Sequence, residues 1–143
     1  MKFELIIDPA AEEKVTVVAK AENEISKKIK ALIEQEESEL IGFSGKEGEK
    51  IHLDDVCFFA AEGDKIFAFL TDKKLQVKSR LYLLEEKLPR NFVKINQSCL
   101  ANIDMITRFD TSLSGTLMVH FKNGESDYVS RRQLKYVKER LGI

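Results

Sequence analysis

Residues 92–106 read FVKINQSCLANIDMI, and this stretch organises the rest of the chain. Phe92–Ile95 is short and rich in β-branched and aromatic residues, which predicts a β-strand. The polar loop Asn96-Gln97-Ser98 follows, and residues 99–103 form a compact apolar segment for which we expect a turn, helical or irregular. The stretch therefore predicts a strand that ends in an exposed loop carrying two amides and a hydroxyl.

Short strands joined by tight turns are predicted on both sides of this stretch. Asn123-Gly124 is the strongest short hairpin signal in the chain, and Glu62-Gly63-Asp64 is a second turn signal. A short helix with its leucines on one face follows Ser79, which we expect to cap it, and Pro89 ends it. The predicted strands are 56–59, 66–70, 75–77, 106–109, 117–121 and a return strand to Val129, with a loop at 112–115.

The last segment, residues 128–141, reads YVSRRQLKYVKERL and predicts a helix. Ser130 followed by Gln133 is a capping box, which marks a helix start. Arg131 and Arg132 would then occupy the first turn, where the helix dipole disfavours each cation by about 0.3–1 kcal/mol. Two interpretations are open: an anion such as a phosphate binds in front of both arginines, or both are simply solvated.

The N-terminal part predicts a small ββαβ unit over residues 1–45, ahead of a second unit over residues 46–143. Residues 2–8 alternate before Pro9, and residues 15–18 are β-branched, so both predict strands. Residues 22–37 predict an amphipathic helix with Asn23 as its N-cap, and residues 34–39 predict its solvated end. Residues 40–43 predict a third strand. A unit this small needs to pack on the second unit.

Composition and charge exclude several classes of protein. The chain of 143 residues is 43% hydrophobic with nine Phe, which suits a packed domain. Neither a membrane span of ~20 apolar residues nor a signal peptide is evident, so we expect a cytoplasmic protein. Residues 1–48 carry 7 basic and 11 acidic side chains, net −4, whereas residues 90–143 carry 9 and 5, net +4. A basic C-terminal part is compatible with an anion-binding face.

The sequence offers no chemistry for catalysis. We find no nucleophile–base pair, no glycine-rich phosphate loop and no cluster of metal-ligand residues, so we expect neither an enzyme nor a cofactor or metal. His52 and His120 stand apart from other ligand types. Cys57 and Cys99 are expected to be buried thiols.

Residues 51–143 resemble the LytTR DNA-binding domain, found at the C-terminus of many bacterial response regulators. The motifs that carry the resemblance are residues 92–106, Phe121-Lys122-Asn123-Gly124 and residues 128–132. The family pattern in the first motif is roughly F-x-R-I-H-R-S-x-L-V-N. This chain departs from it at Lys94, Asn96 and Gln97, where the family has Arg, His and a basic residue. These departures bear on the DNA sequence recognised more than on the fold.

The resemblance implies an α+β, mainly β fold: an elongated arrangement of small antiparallel β-sheets with short helices. It also implies a transcriptional regulator whose loops enter the major grooves of double-stranded DNA, and two copies on a pair of repeats. The chain looks like the small stand-alone regulators of this family, which carry a short N-terminal extension in place of a receiver domain. A membrane or signalling partner for that extension is an alternative to a purely structural role.

Residue chemistry gives each candidate a role in this interface. Amides pair with adenine and guanidinium groups with guanine at base edges, whereas lysines suit phosphates. Ser98 and Asn102 are also expected to cap the local backbone, and Arg80 is expected to be solvated. The rival hypothesis is a protein-interaction module on the same scaffold that does not bind DNA. The predicted DNA-binding residues are Lys65, Lys94, Asn96, Gln97, Ser98, Ser130, Arg131, Arg132 and Lys135.

Overall fold

The computed structural model describes residues 2–37, 40–111 and 115–143. These residues form three helices and ten strands, and all strand pairs are antiparallel. The helices are α1 (Glu24–Glu37), α2 (Leu81–Lys87) and α3 (Leu134–Leu141). The strands are β1 (Leu40–Ser44), β2 (Glu47–Ile51), β3 (Val56–Glu62), β4 (Lys65–Leu70), β5 (Lys74–Val77), β6 (Phe92–Asn96), β7 (Cys99–Asn102), β8 (Ile106–Thr111), β9 (Leu117–Phe121) and β10 (Ser126–Val129).

The strands form two sheets whose order places the candidate loops together. The larger sheet has seven strands in the order β2-β1-β5-β4-β3-β7-β6, and the smaller has the order β10-β9-β8. The predicted hairpins at Gly63 and Gly124 are present, and both glycines have the positive φ that such turns need, 63° and 87°. The fold class predicted from the sequence, mainly β with small antiparallel sheets and short helices, is confirmed.

Both faces of the seven-stranded sheet are covered, because side chains alternate along β3. Phe58 belongs to the core shared with the three-stranded sheet and with Val137 of α3. Phe59 belongs to the opposite core, which Leu84 of α2 closes. These two apolar layers contain five of the nine Phe residues: Phe58, Phe59, Phe69, Phe92 and Phe121.

The segment 99–102 is a strand, so the turn expected there is wrong. It forms β7 between β3 and β6, with Ala60 opposite Cys99 and Val93 opposite Ala101. All its residues are buried, since this strand is covered on both faces. A short apolar run gives no alternation from which to recognise such a strand. The cap expected at Ser79 is also wrong, because its hydroxyl donates to the Arg80 carbonyl and Arg80 occupies the N-cap position of α2.

The strands expected at residues 2–8 and 15–18 are wrong. Both segments are exposed and unpaired; Phe3 is 91% and Val18 93% exposed. An alternating pattern makes a strand only when a neighbouring strand supplies backbone hydrogen bonds, and no described strand does so here. The helix expected next is confirmed as α1. The Asn23 side chain accepts a hydrogen bond from the Ser26 backbone at 2.8 Å, which is the expected N-cap.

The last strand of the predicted N-terminal unit belongs to the large sheet. Strand β1 pairs with β2 and, through Phe43 opposite Gln76, with β5. The division of the chain at residues 45 and 46 stays a prediction. The loop expected at 112–115 and the helix end expected at 34–39 fall partly outside the described residues. Within the described part of the chain, no helix has both the length and the apolar character needed to cross a membrane.

Candidate nucleic-acid interface

Three loop segments meet at one end of the molecule. The β3–β4 hairpin carries Lys65, the β6–β7 turn carries Gln97, and residues 130–133 join β10 to α3. Strand β3 pairs with β7, and the Ala61 amide donates to the Ser98 carbonyl at 2.9 Å, which ties the first two segments together. The Ser130 amide donates to the Ile95 carbonyl at 2.8 Å, which ties the third segment to β6.

Asn96 is a structural residue at the centre of this junction. It is only 2% exposed, its side-chain nitrogen donates to the Tyr128 carbonyl at 2.9 Å, and its side-chain oxygen accepts from the Ser98 amide at 2.9 Å. Its polar atoms are therefore used inside the protein. The expectation that Asn96 reads a base does not fit this geometry, whereas the alternative of turn chemistry does.

The segment before α3 is a turn, so the capping box expected at Ser130 is wrong. Helix α3 begins at Leu134, and Gln133 occupies its N-cap position without a side-chain cap. The Gln133 amide donates to the Ser130 carbonyl at 3.0 Å, which closes a turn over residues 130–133. Because Ser130 is fastened to β6, the helix starts only after this turn. Arg131 and Arg132 thus lie on an exposed turn ahead of the helix and avoid its unfavourable dipole.

A groove of about 330 Å³ connects the β6–β7 turn with this second turn. We call it the Lys94 groove. None of its lining residues is a carboxylate, and two of them, Lys94 and Arg132, are cations. Neither cation has a carboxylate within ion-pair distance among the described residues. The groove is lined by Lys94, Gln97, Ser98, Tyr128, Ser130, Arg132 and Gln133.

Most of the chain matches a family of known proteins. The profile of the LytTr DNA-binding domain matches residues 46–142, about two thirds of the chain. The chain belongs to the LytTR family. A solved LytTr DNA-binding domain from Bacillus cereus superposes with a TM-score of 0.69, at 20% identity, over 74% of this chain and 98% of that one. The resemblance found in the sequence motifs is confirmed, and the superposition adds the LytTR fold.

Relatives in Staphylococcus aureus share more of the sequence. One, named an uncharacterized HTH-type transcriptional regulator, comes from the bovine strain RF122 and is 36% identical over 104 residues, which span 73% of this chain and 71% of the relative. Another of the same description, from strain NCTC 8325, is 35% identical over an equal length. The alignment of 104 residues is slightly longer than the LytTR match over residues 46–142.

Three further predicted site residues of this LytTR chain are not among the residues that line the Lys94 groove. Lys65, Arg131 and Lys135 are exposed.

Asn102, expected as a local cap, accepts from the Asp104 amide at 3.1 Å, and its nitrogen donates to the Val56 carbonyl at 2.9 Å. The hydrogen bonds that join Ser98 to β3 and to Asn96 use its backbone, which leaves its exposed side chain facing solvent.

Sequence reasoning missed three residues of this surface. Tyr128 and Gln133 line the Lys94 groove, and Arg80 lines an adjoining groove together with Lys94 and Gln97. Tyr128 had a usable signal, because its alternation with buried Val129 places its side chain on the outer face of β10. The sequence held no comparable signal that Arg80 belongs to this surface, because only the tertiary fold brings α2 beside the β6–β7 turn.

The two cysteines lie beneath the surface and have no role in it. Burial raises the pKa of the Cys99 thiol well above its usual value, and the Asp127 carboxylate adds to the effect. Burial also raises the pKa of the Cys57 thiol. Both therefore stay neutral, as expected for core residues. Among residues 2–37, 40–111 and 115–143, no three side chains of metal-ligand type cluster together.

Proposed function

We propose that this LytTR chain is a sequence-specific, double-stranded DNA-binding transcriptional regulator. It reads base edges in the major groove through Gln97 and Arg132, which both line the Lys94 groove. The observation that supports this most directly is a concave surface with two cations, five amide or hydroxyl side chains and no carboxylate among its lining residues. Such a surface attracts a polyanion and offers directional hydrogen bonds to base edges.

Each reading residue has a defined chemical role in this proposal. The Arg132 guanidinium donates two hydrogen bonds to guanine, and the Gln97 amide both donates to and accepts from adenine. Each such bidentate pair discriminates by about 1–3 kcal/mol against the wrong base. Ser98 and Ser130 supply hydroxyls that suit either bases or phosphates. Two loops from neighbouring elements thereby read adjacent base pairs.

The outlying cations position the protein on the duplex. The exposed cations that bind phosphates are Lys65 on the β3–β4 hairpin, Arg131 beside Arg132 and Lys135 on α3. Lys94, which lines the groove, binds a phosphate as well. Phosphate contacts carry no sequence information directly but fix the register. They also make the affinity fall as salt rises, because bound counterions are released.

The test begins with a selection of duplexes by the full-length chain from a random-sequence pool. Fluorescence anisotropy then compares a selected duplex with its scrambled version at several salt concentrations. We expect the selected duplex to bind at least about 10³-fold more tightly. Equal affinity for both duplexes, or no binding even at low salt, would contradict the proposal.

A second candidate function, a protein-interaction module, is favoured by the exposed apolar side chains of the N-terminal part. Leu5 is 71%, Ile7 84% and Leu32 61% exposed, and Ile25 of α1 is 48% exposed. Exposed apolar side chains that form a contiguous patch are typical of an interface. Its occupant would be a second copy of this chain, or a signalling or membrane partner. The selection experiment separates this candidate from the first, since only the first yields enriched sequences.

Sedimentation measurements address the second copy. The full-length chain is examined alone, with a duplex carrying one selected site and with a duplex carrying two. Two chains on a single site, or a dimer without DNA, would support pairing between copies. A single chain on each site, with independent affinities, would contradict it.

A further inference from the structure

A second groove lies beside the Lys94 groove, between the start of α2, the β3–β4 hairpin and the β6–β7 turn. It has a volume of about 580 Å³, and we call it the Arg80 groove. Arg80 and Tyr82 line its α2 wall, Gly63 lines it from the β3–β4 hairpin, and Lys94 and Gln97 are shared with the Lys94 groove. The two concave surfaces are therefore continuous, with Lys94 between them.

The side chains of this wall are available to a ligand. Arg80 is exposed, and no carboxylate among the described residues lies within ion-pair distance of its guanidinium. Tyr82 is 59% exposed although α2 packs its other face on the core through Leu84. A free guanidinium beside a phenol hydroxyl offers two kinds of donor to an anion, and the guanidinium matches the geometry of phosphate oxygens.

We propose that the Arg80 groove holds a phosphate of the DNA backbone through the Arg80 guanidinium and the Tyr82 hydroxyl, an inference that rests on the proposed DNA-binding function. When Gln97 meets a base edge, the sugar–phosphate chain that borders that base runs past the Gln97 side of this groove. Arg80 then acts as a sequence-independent anchor that sets how the β6–β7 turn enters the major groove. This adds α2 to the elements that contact the duplex.

Two carboxylates also line the Arg80 groove and define where the phosphate lies. Asp64 stands on the β3–β4 hairpin and Glu85 lies one turn along α2 from Arg80 and Tyr82. Both are exposed, so solvent screens their charge. Their repulsion confines the phosphate to the Arg80 side, and removing either one is expected to strengthen DNA binding.

The test uses the full-length chain, one selected duplex of about 30 base pairs, or three helical turns, and its scrambled version. Arg80→Gln removes the charge while keeping much of the side-chain stem. We expect the affinity for both duplexes to fall roughly tenfold. The slope of log affinity against log salt concentration should become shallower by about one unit. Glu85→Gln is expected to raise affinity for both duplexes. Arg108→Gln is the matched control and should leave both affinities unchanged, because β8 is the strand of the small sheet farthest from β10, which adjoins β6.

The outcomes separate this inference from the function on which it rests. If the wild type binds neither duplex, the proposed function fails. If the wild type binds but Arg80→Gln keeps its affinity and salt slope, only the Arg80 phosphate contact is overturned. The phosphate contact would also be overturned if Arg80→Gln lowered the affinity for the selected duplex alone. A Glu85→Gln variant that binds DNA no tighter than the wild type would overturn it as well. Circular dichroism melting of each variant confirms that the fold is retained.

Discussion

The side chain of Asn96 donates a hydrogen bond to the carbonyl of Tyr128 at 2.9 Å, across 32 residues of sequence. This bond joins the last residue of β6 in the large sheet to β10 in the small one. The same side chain accepts a hydrogen bond from the Ser98 amide. One buried amide therefore holds both the β6–β7 turn and the junction between the two sheets. The position of Gln97 relative to Arg132 therefore depends on Asn96.

Replacing Asn96 by Ala should destabilise the fold. The change leaves the Ser98 amide and the Tyr128 carbonyl without their partner, at a cost of about 1–3 kcal/mol in the free energy of unfolding. Urea unfolding monitored by circular dichroism measures it. Gln97→Ala is the matched control one residue away: its side chain is exposed, so stability should change by less than about 0.5 kcal/mol. Equal stability of the two variants would show that the Asn96 bonds are not structural.

Replacing Arg132 by Ala should weaken binding to the selected duplex without lowering the melting temperature. Arg132 lines the Lys94 groove, and its loss removes a bidentate base contact worth about 1–3 kcal/mol. The preference for one base at a single position of the site should weaken at the same time. Competition with duplexes that differ from the selected one by a single base pair measures this change. Arg131→Ala removes the same charge from outside the groove and should weaken all duplexes alike. An Arg132 variant that unfolds would make this residue structural.

Stability should fall at alkaline pH because of the buried thiol of Cys99. Its pKa is raised in the folded state by burial and by Asp127, so the unfolded thiol loses its proton first. Above the usual thiol pKa of about 8.5, the free energy of unfolding therefore falls, by up to about 1.4 kcal/mol per pH unit for one proton, until pH reaches the folded pKa. Urea unfolding between neutral pH and about pH 10 follows it. The free energy of unfolding of the Cys99→Ser variant should fall less steeply with pH. If its slope against pH equals that of the wild type, the Cys99 thiol is not the cause of the decline.

Removing residues 2–22 should leave stability almost unchanged. This segment is exposed along its length, and the hydrogen bonds it shows, between Asp8 and residues 10 and 11, are local. The shortened chain keeps Asn23 as the cap of α1 and Glu24 as the ion-pair partner of Arg90. Thermal melting should agree with that of the full chain within about one degree, since few contacts are lost. A large fall would show that the segment packs on the domain.

Sequence reasoning succeeded where the signal is local. The hairpins at Gly63 and Gly124 follow from backbone freedom at single residues, and α1 follows from the Asn23 cap and helical spacing. It failed at residues 2–8 and 15–18, since a strand requires a partner that the sequence alone does not supply. It also failed at Ser130, where fastening of the backbone to Ile95 overrides a local capping signal.

For the candidate site, too, the sequence predicted what is local, and the tertiary structure decided the rest. Residue type predicted Gln97 and Arg132 as base-reading groups and Lys94 as a cation among them, and motif order identified the LytTR family. Asn96 and Gln97 are adjacent amides that residue chemistry treats alike. Only the fold distinguishes them, because β6 turns one side chain into the core and leaves the next in solvent.

The sequence by itself determined the family, the mainly β fold class and the chemical types available to the interface, because these depend on composition, spacing and short-range turn preferences. The tertiary structure decided which of those groups face outward together, because exposure and juxtaposition arise from contacts between segments far apart in the chain. The pairing of β3 with β7 and the bond from Ser130 to Ile95 bring the loops to one end, and α2 carries Arg80 beside them.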